Sequence, residues 1–444
     1  MSTGRGARAI RALVASCALV AACTGGSGGP EAVDLPGCDG TPATQTIEAW
    51  MPVASAEDEA AVRELEAAFN AAEGEASSEV SVRIVTLPAD RYAATIAELP
   101  RPGERLPDVV ELDAAQTYRL ASAGMIQPID NCVPQPLADD LIPSVADVGR
   151  FDGERWAVER LERLGAIYGL RPALERAGVR LPVDGAEAWT AEEFGEILED
   201  LADERGVERP LAFPDLDRVD ADVARLFAPI LWSAGGDVIE NDDPASAADA
   251  LEQAEVIDSL SQLQGWFDAG LAGVGALDDE KGAVLAWDDS GAFPAYSERF
   301  GDDLVLLPLP DFGKGSFMAQ GGHQWAVGAG GDADVAWRFI DFTLRPDNLL
   351  RFSELRGDLP SRQSVLADDE HFGEGTPRRY FVVELEAGRA RAMPAVARLD
   401  LVEAAFAGAM RRILGEGADV GASLQEAADE VADQAAETSV PTSR

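Results

Sequence analysis

Apolar and polar positions follow two rhythms along this chain, and the switches between them lay out its elements. Ile47 to Met51 reads as a first strand, after which Val62, Leu65, Phe69 and Ala72 fall on one helical face. Val80, Val82 and Ile84 return to period two, and Val109-Val110-Glu111-Leu112 follows Pro107-Asp108 as a third strand. Ala114 to Ala123 resumes the helical rhythm and stops at Gly124. The order βαβα predicts an α/β fold with a largely parallel sheet.

The middle of the chain is richer in helix. Thr190 with Glu193 forms a capping box ahead of Phe194, Ile197, Leu198 and Leu201. Val256, Leu260, Leu263 and Phe267 mark another amphipathic helix, and Val402, Ala405, Phe406, Met410 and Ile413 a third, closed by Gly415. No repeat of fixed period appears.

The start of the chain has a different character. Arg5, Arg8 and Arg11 lead into the apolar run Ala12 to Val20, too short for a lasting bilayer span but right for a secretory signal. Val20-Ala21-Ala22-Cys23 then resembles a bacterial lipobox, which implies cleavage before Cys23 and a diacylglyceryl thioether on its sulfur. The Gly/Ser-rich stretch Thr24 to Pro30 is a suitable tether. Residues 1–22 are therefore expected to be a lipoprotein signal peptide and 23–45 a tether with an N-terminal extension. The mature protein would sit on the extracellular face of the cell membrane, held by lipid alone. No later run reads as a span: Val305 to Pro310 is strand-length and broken by proline.

Charge narrows the partners. With 80 Asp and Glu against 36 Lys and Arg, the chain carries a formal charge of -44, which repels phosphate backbones and argues against nucleic acid. The acidic surface suits salty surroundings, although genomic base composition accounts for it equally well. Of the four cysteines, removal of Cys17 and lipidation of Cys23 leave Cys38 and Cys132, and an even pair in an oxidising compartment is expected to be a disulfide. The two histidines, His323 and His371, are too few for a zinc-type cluster with cysteine, so no metal or cofactor is expected.

The order of small motifs is more informative than any one of them. Asp152-Gly153-Glu154-Arg155-Trp156-Ala157 precedes Ile167-Tyr168, Ala177-Gly178-Val179 and Trp189-Thr190-Ala191-Glu192-Glu193-Phe194. Leu231-Trp232-Ser233-Ala234-Gly235-Gly236, Lys281-Gly282-Ala283-Val284 and Gly321-Gly322-His323-Gln324-Trp325-Ala326-Val327 come next. Ala336-Trp337-Arg338-Phe339-Ile340 and Asp358-Leu359-Pro360-Ser361-Arg362 close the series. The succession resembles the extracellular solute-binding proteins of carbohydrate ABC importers, the family that includes maltose-binding protein, from about Thr46 to about Ala435.

The resemblance implies a two-lobed periplasmic-binding-protein-like fold of class II, with several hinge crossings and ligand trapped in the cleft. Residues 46–157 plus 325–356 would form the first lobe, 158–324 plus 357–435 the second, and 436–444 a tail. It further implies a monomer that is not an enzyme and that delivers a carbohydrate ligand to ABC transporter permease subunits. Two departures touch substrate identity more than fold: Gly169-Leu170-Arg171 follows Ile167-Tyr168 where the family usually has Asn and Lys, and no proline precedes Trp189-Thr190.

Sugar capture needs aromatic platforms for the apolar ring face and paired donors and acceptors for the hydroxyl rim. Trp287, beside Asp288 and Asp289, is where similar receptors place an aromatic contact, with Trp232 the next candidate. Gly322 in the double-glycine segment would let backbone approach the ligand, with His323 beside it. Asp113 at the end of the third strand, Arg163 near the first crossing and Trp50 on strand one complete the candidates. Each of these residues also has a purely structural reading. Two other functions stay open: a same-fold receptor for a polyol, glycerol phosphodiester or peptide-like solute, and a lipid-anchored glycosidase using two carboxylates. Neither a Gly-x-Ser-x-Gly elbow nor a Walker-type loop occurs.

Overall fold

The computed structural model describes residues 45–438, apart from 77, 100–104, 205–206 and 279–281. The leader, the lipobox, Cys23, the tether and Cys38 lie outside the described residues. Cys132 is buried and disulfide-bonded.

Two sheets carry the fold. The larger, of seven strands, runs in the order Leu359–Pro360, Ala157–Glu162, His323–Gly328, Val109–Leu112, Gln45–Val53, Val80–Pro88, with Ile126–Gln127 paired to the 323–328 strand. The smaller has five: Ala272–Val274, Leu211–Phe213, Leu285–Asp289, Gly165–Leu170 and Leu304–Leu307. The α/β, two-lobed architecture expected from the sequence is the one found. The first three strands are parallel as expected, but the larger sheet is mixed: the 323–328 strand runs antiparallel to both 109–112 and 157–162. The reason is topological, since this strand returns from the other lobe.

Local chemistry explains the elements. Helix Ala56–Glu75 starts where Ser55 accepts the Asp58 amide at 3.1 Å, and it buries Ala61, Val62, Leu65 and Phe69. Phe69 meets Phe339 edge to face at 5.4 Å, tying that helix to Ala333–Thr343. Thr190 caps helix Ala191–Asp203 by accepting the Glu193 amide, as its spacing predicts. Helix Leu399–Glu416 runs past Gly415 and ends at Gly417, which adopts φ 66°. Gly415 is tolerated inside it because the flanking apolar face is buried against helix Asp220–Ala234.

The chain crosses between the sheets at short segments. Glu162 at the end of one strand is separated from Gly165 of the other sheet only by Arg163 and Leu164. The return path from Leu304–Leu307 passes Met318–Gln320, then Gly321 and Gly322, into His323–Gly328. Helix Pro346–Arg356 leads through Gly357 and Asp358 to the edge strand Leu359–Pro360. Among the described residues no helix is long and apolar enough to cross a membrane.

Candidate ligand-binding cleft

The site is built on a strand of unusual content. Along Ala157–Glu162 the side chains of Glu159, Arg160 and Glu162 are 1%, 0% and 0% exposed, although each is ionisable. Burial at this depth requires partners. Arg160 finds Glu111, donating to Oε2 at 2.9 Å, and its guanidinium lies 4.1 Å from the Phe352 ring centroid. Glu111 takes Arg356 on its other oxygen at 2.8 Å, with His323 Nδ1 3.0 Å away. Burial alone would raise the Glu111 carboxyl, but Arg356, Arg160 and His323 together hold it well below the usual carboxylate range. Arg356 also donates to Asp58 at 3.1 Å and to the Pro52 carbonyl at 3.1 Å, so helix 346–356 is pinned to the end of the first strand.

A second set of charges occupies the crossing itself. Arg163 donates from Nε and a terminal nitrogen to the two oxygens of buried Asp358 at 2.9 and 3.1 Å. Its Nε also lies 3.8 Å from Asp289. Arg218 reaches Asp289 at 3.2 Å and Asp288 at 3.6 Å. Asp288 is pushed up to about 7, by burial first and then by its neighbour Asp289.

Between these groups lies a cleft of about 510 Å³. Pro52, Ala54, Ser55 and Asp58 of the larger-sheet lobe form one wall, and Pro214, Arg218, Asp288 and Asp289 of the smaller-sheet lobe the other. Arg163, His323 and Arg356 form its floor at the crossings. This volume suits a small solute. Apart from the imidazole of His323, no aromatic ring lines the cleft among the described residues.

Further along the lobe contact, Asp113 of the larger-sheet lobe faces Arg225 and Asp222 of the other. Arg225 donates to Asp222 at 2.7 Å and lies 3.9 Å from Glu403. Glu403 is pushed up to about 8 by burial, with Asp113 and Asp222 adding like charge that Arg225 only partly offsets. The lobes touch here: Arg119 lies 3.7 Å from Asp400, and helices Ala114–Ser122 and Leu399–Glu416 pack together.

Of the candidates read from the sequence, the structure gathers Arg163, His323 and Asp288 on the cleft. Asp113 lies at the lobe contact, where it caps helix 114–122 by accepting the Gln116 amide at 2.7 Å. The other four lie elsewhere. Trp287 is 1% exposed and stacks on Phe213 at 5.6 Å; it lines a narrow inner cavity with Arg163, Asp222, Arg225 and Asp289, next to the 510 Å³ cleft. Trp232 is likewise 1% exposed, donates to Asp237 at 2.9 Å and carries Arg391 over its ring. Trp50 donates to Glu48 at 2.8 Å on the first strand. Gly322 serves strand approach: a Cβ there would fall 1.8 Å from the Leu161 carbonyl oxygen.

Asp58, Arg218, Arg356 and Asp358 were not singled out by sequence reasoning. Asp358 belongs to the motif Asp358-Leu359-Pro360, directly after Arg356-Gly357, and that is the signal the sequence offers. Arg218 had none, because a lone arginine after Pro214-Asp215-Leu216-Asp217 reads as a solvated turn.

Two lobes, short crossings between them and a solute-sized cleft at the crossings define a solute-capture receptor. The chain belongs to the bacterial extracellular solute-binding protein family, whose model matches residues 64–373. The family is one of binding proteins rather than enzymes. Among solved structures, the GacH receptor of Streptomyces glaucescens, described unliganded and with acarbose, is 21% identical, covers 88% of this chain and 97% of its own, and gives a TM-score of 0.69. UgpB from Mycobacterium tuberculosis, in complex with glycerophosphocholine, is 20% identical over 89% of this chain and 100% of its own, at a TM-score of 0.70. The sugar-binding protein MalE from Xanthomonas citri is 19% identical over 89% and 98%, at 0.72. At these identities the likeness is one of fold. No curated protein sequence matches the chain.

Proposed function

We propose that the mature chain is a lipid-anchored receptor, tethered through Cys23, that captures a polar solute between its lobes and delivers it to the permease of an ABC importer. The observation that carries this reading is the 510 Å³ cleft, whose walls come from both lobes and whose floor is the crossing segments. A solute bridging such walls stabilises the closed form by its differential affinity for closed over open lobes. Lobe closure is then the signal a permease reads.

A sugar or short oligosaccharide is the first class to consider, since solved relatives of this fold include sugar-binding proteins. A second reading, a non-sugar solute, gains support from the cleft wall: without an aromatic platform a pyranose face has nothing to stack on, while paired arginines and aspartates offer donors and acceptors to any polar group. A thermal-shift screen of the chain exported with Cys23→Ser, against sugars, polyols, amino acids and glycerol phosphodiesters, tests the reading. A ligand at a hundredfold excess over its Kd should add about 2.7 kcal/mol of stability. Recovery of the ligand unchanged supports capture; turnover of a glycan would overturn it.

A further inference from the structure

The cleft has an annexe. Arg163 and Asp289, which line the cleft, also line an inner cavity of about 20 Å³ that lies against the smaller-sheet lobe. Its other polar walls are Asp222 and Arg225 of helix Asp220–Ala234, and its apolar walls include Trp287 and Pro229. A water needs about 10–15 Å³ of such space and at least two polar partners. The cavity therefore has room for one water-sized atom and four charged groups to hold it.

The charges of these walls cancel. Arg225 donates to Asp222 at 2.7 Å, and Arg218 donates to Asp289 at 3.2 Å. Burial alone would raise the Asp222 carboxyl, but Arg225, Arg163 and Arg218 hold it below its usual range, so it stays ionised. The hydrogen bonds are less complete than the charges. Arg163 spends Nε and Nη2 on Asp358 and stands 3.8 Å from Asp289, too far for a direct hydrogen bond. Asp222 receives Arg225 on Oδ1, and among the described residues nothing donates to its Oδ2. A donor, Arg163 Nη1, and an acceptor, Asp222 Oδ2, are thus left over on two residues that line the cavity.

That pair selects its occupant. A cation is repelled by Arg163 and Arg225, and an anion by Asp222 and Asp289, so the group is neutral. It must both donate and accept, and an amide exceeds the space of one atom. A hydroxyl meets all three conditions.

We propose that the annexe is a hydroxyl subsite, which takes the terminal hydroxymethyl oxygen of the captured solute between Arg163 and Asp222. This rests on the capture reading above and names the group by which the cleft recognises its solute. In the unliganded chain a water takes the same place, and the solute hydroxyl displaces it while reproducing its hydrogen bonds, the condition for gaining rather than losing affinity. A solute without that hydroxyl forgoes two charge-assisted hydrogen bonds. Hexoses, polyols and glycerol esters carry such a terminus, whereas pentopyranoses and 6-deoxy sugars do not.

Gly165 gives a way to close the subsite. It lines the cavity, and a Cβ there would meet only Leu309 Cδ1, at 3.9 Å, which belongs to another wall of the same cavity. G165A therefore fits the fold and takes the space of the hydroxyl.

The test is calorimetric titration of the chain exported with Cys23→Ser, with D-glucose, 6-deoxy-D-glucose, D-xylose, maltose, sorbitol and glycerophosphocholine. A compound with a terminal hydroxymethyl group is expected to bind, and glucose at least tenfold more tightly than 6-deoxyglucose or xylose. G165A is expected to weaken whichever compound binds at least tenfold while leaving the melting temperature unchanged. Equal affinity for glucose and 6-deoxyglucose, binding by 6-deoxyglucose or xylose alone, or binding undiminished in G165A overturns the subsite and leaves the capture receptor standing. Silence from every compound at millimolar concentration counts against both. Should G165A fail to fold, the wild-type ratios and a high-resolution crystal structure of the unliganded chain still decide: a water bridging Arg163 and Asp222 supports the subsite, and a cavity without one overturns it.

Discussion

Arg163 and Asp358 lie 195 residues apart in sequence and meet in a two-pronged ion pair of 2.9 and 3.1 Å. Arg163 belongs to the segment that leaves the larger sheet, and Asp358 to the segment that follows helix 346–356. The pair therefore ties two crossings to each other at the floor of the cleft. Asp358 is fully buried and held below its ordinary range, because Arg163 outweighs the penalty of burial. Replacing it by asparagine removes the charge that compensates Arg163 while keeping the shape. D358N is expected to lose about 3 kcal/mol, in line with breaking a buried pair by one partner. Urea unfolding measures this directly, and a loss under about 1 kcal/mol would mean the pair behaves as a surface bridge.

Gly357 is constrained twice. Its φ of 79° lies in the left-handed region, and a Cβ there would sit 2.2 Å from the Ser290 carbonyl oxygen on the opposite lobe. G357A should therefore cost about 1–2 kcal/mol for the backbone alone, with the clash added. The clash is relieved only if the two segments separate, so small-angle scattering should report a larger radius of gyration. A variant with unchanged scattering and stability would show that the lobes do not meet there in solution.

Trp287 and Arg218 separate packing from capture. Trp287 is enclosed by the lobe core, so W287A should lose about 3–5 kcal/mol of stability through the cavity it leaves. Arg218 is 26% exposed on the cleft wall and holds Asp288 and Asp289 apart from each other's full repulsion. R218A is expected to change stability by less than about 1 kcal/mol yet to weaken solute binding about tenfold, as the loss of one charged hydrogen bond does. A stable W287A that has lost only binding would return the tryptophan to the cleft.

Much of this could be read from the sequence, and the residues that could not share a cause. Strands Val80–Pro88 and Val109–Leu112 and the helix after Thr190 follow from periodicity and capping, which are local. The two-lobed fold followed from the order of motifs. Tryptophans read as sugar platforms because chemistry favours them there, but sequence carries no sign of which side of a strand end faces the cleft. Trp287 and Asp288 are adjacent, and only the second opens onto it. The charged hinge strand is equally silent: Glu159, Arg160 and Glu162 look like a solvated face, yet the fold buries all three and sets Arg160 on Glu111, which also takes His323 and Arg356.

The buried acids fix how stability depends on pH. Glu162 and Glu403 titrate near 8 in the folded chain, whereas an unfolded glutamate titrates at about 4.3. Between those values the folded state binds more protons, so stability falls as pH rises through the window and levels off above it. Glu111 and Asp358 act in the opposite sense: both are held low, so what they contribute is present above about pH 4 and is lost as pH falls further. The two effects together place the maximum near the acid side of neutrality, about pH 5. Melting temperatures from pH 3 to 9 should trace this asymmetric dome. E403Q removes one of the raised groups and should flatten the alkaline limb without moving the acid one, because Glu111 and Asp358 are untouched. An alkaline limb that stays equally steep in E403Q and E162Q would mean that these carboxyls are ionised in the native chain, with a bound counter-ion already in place.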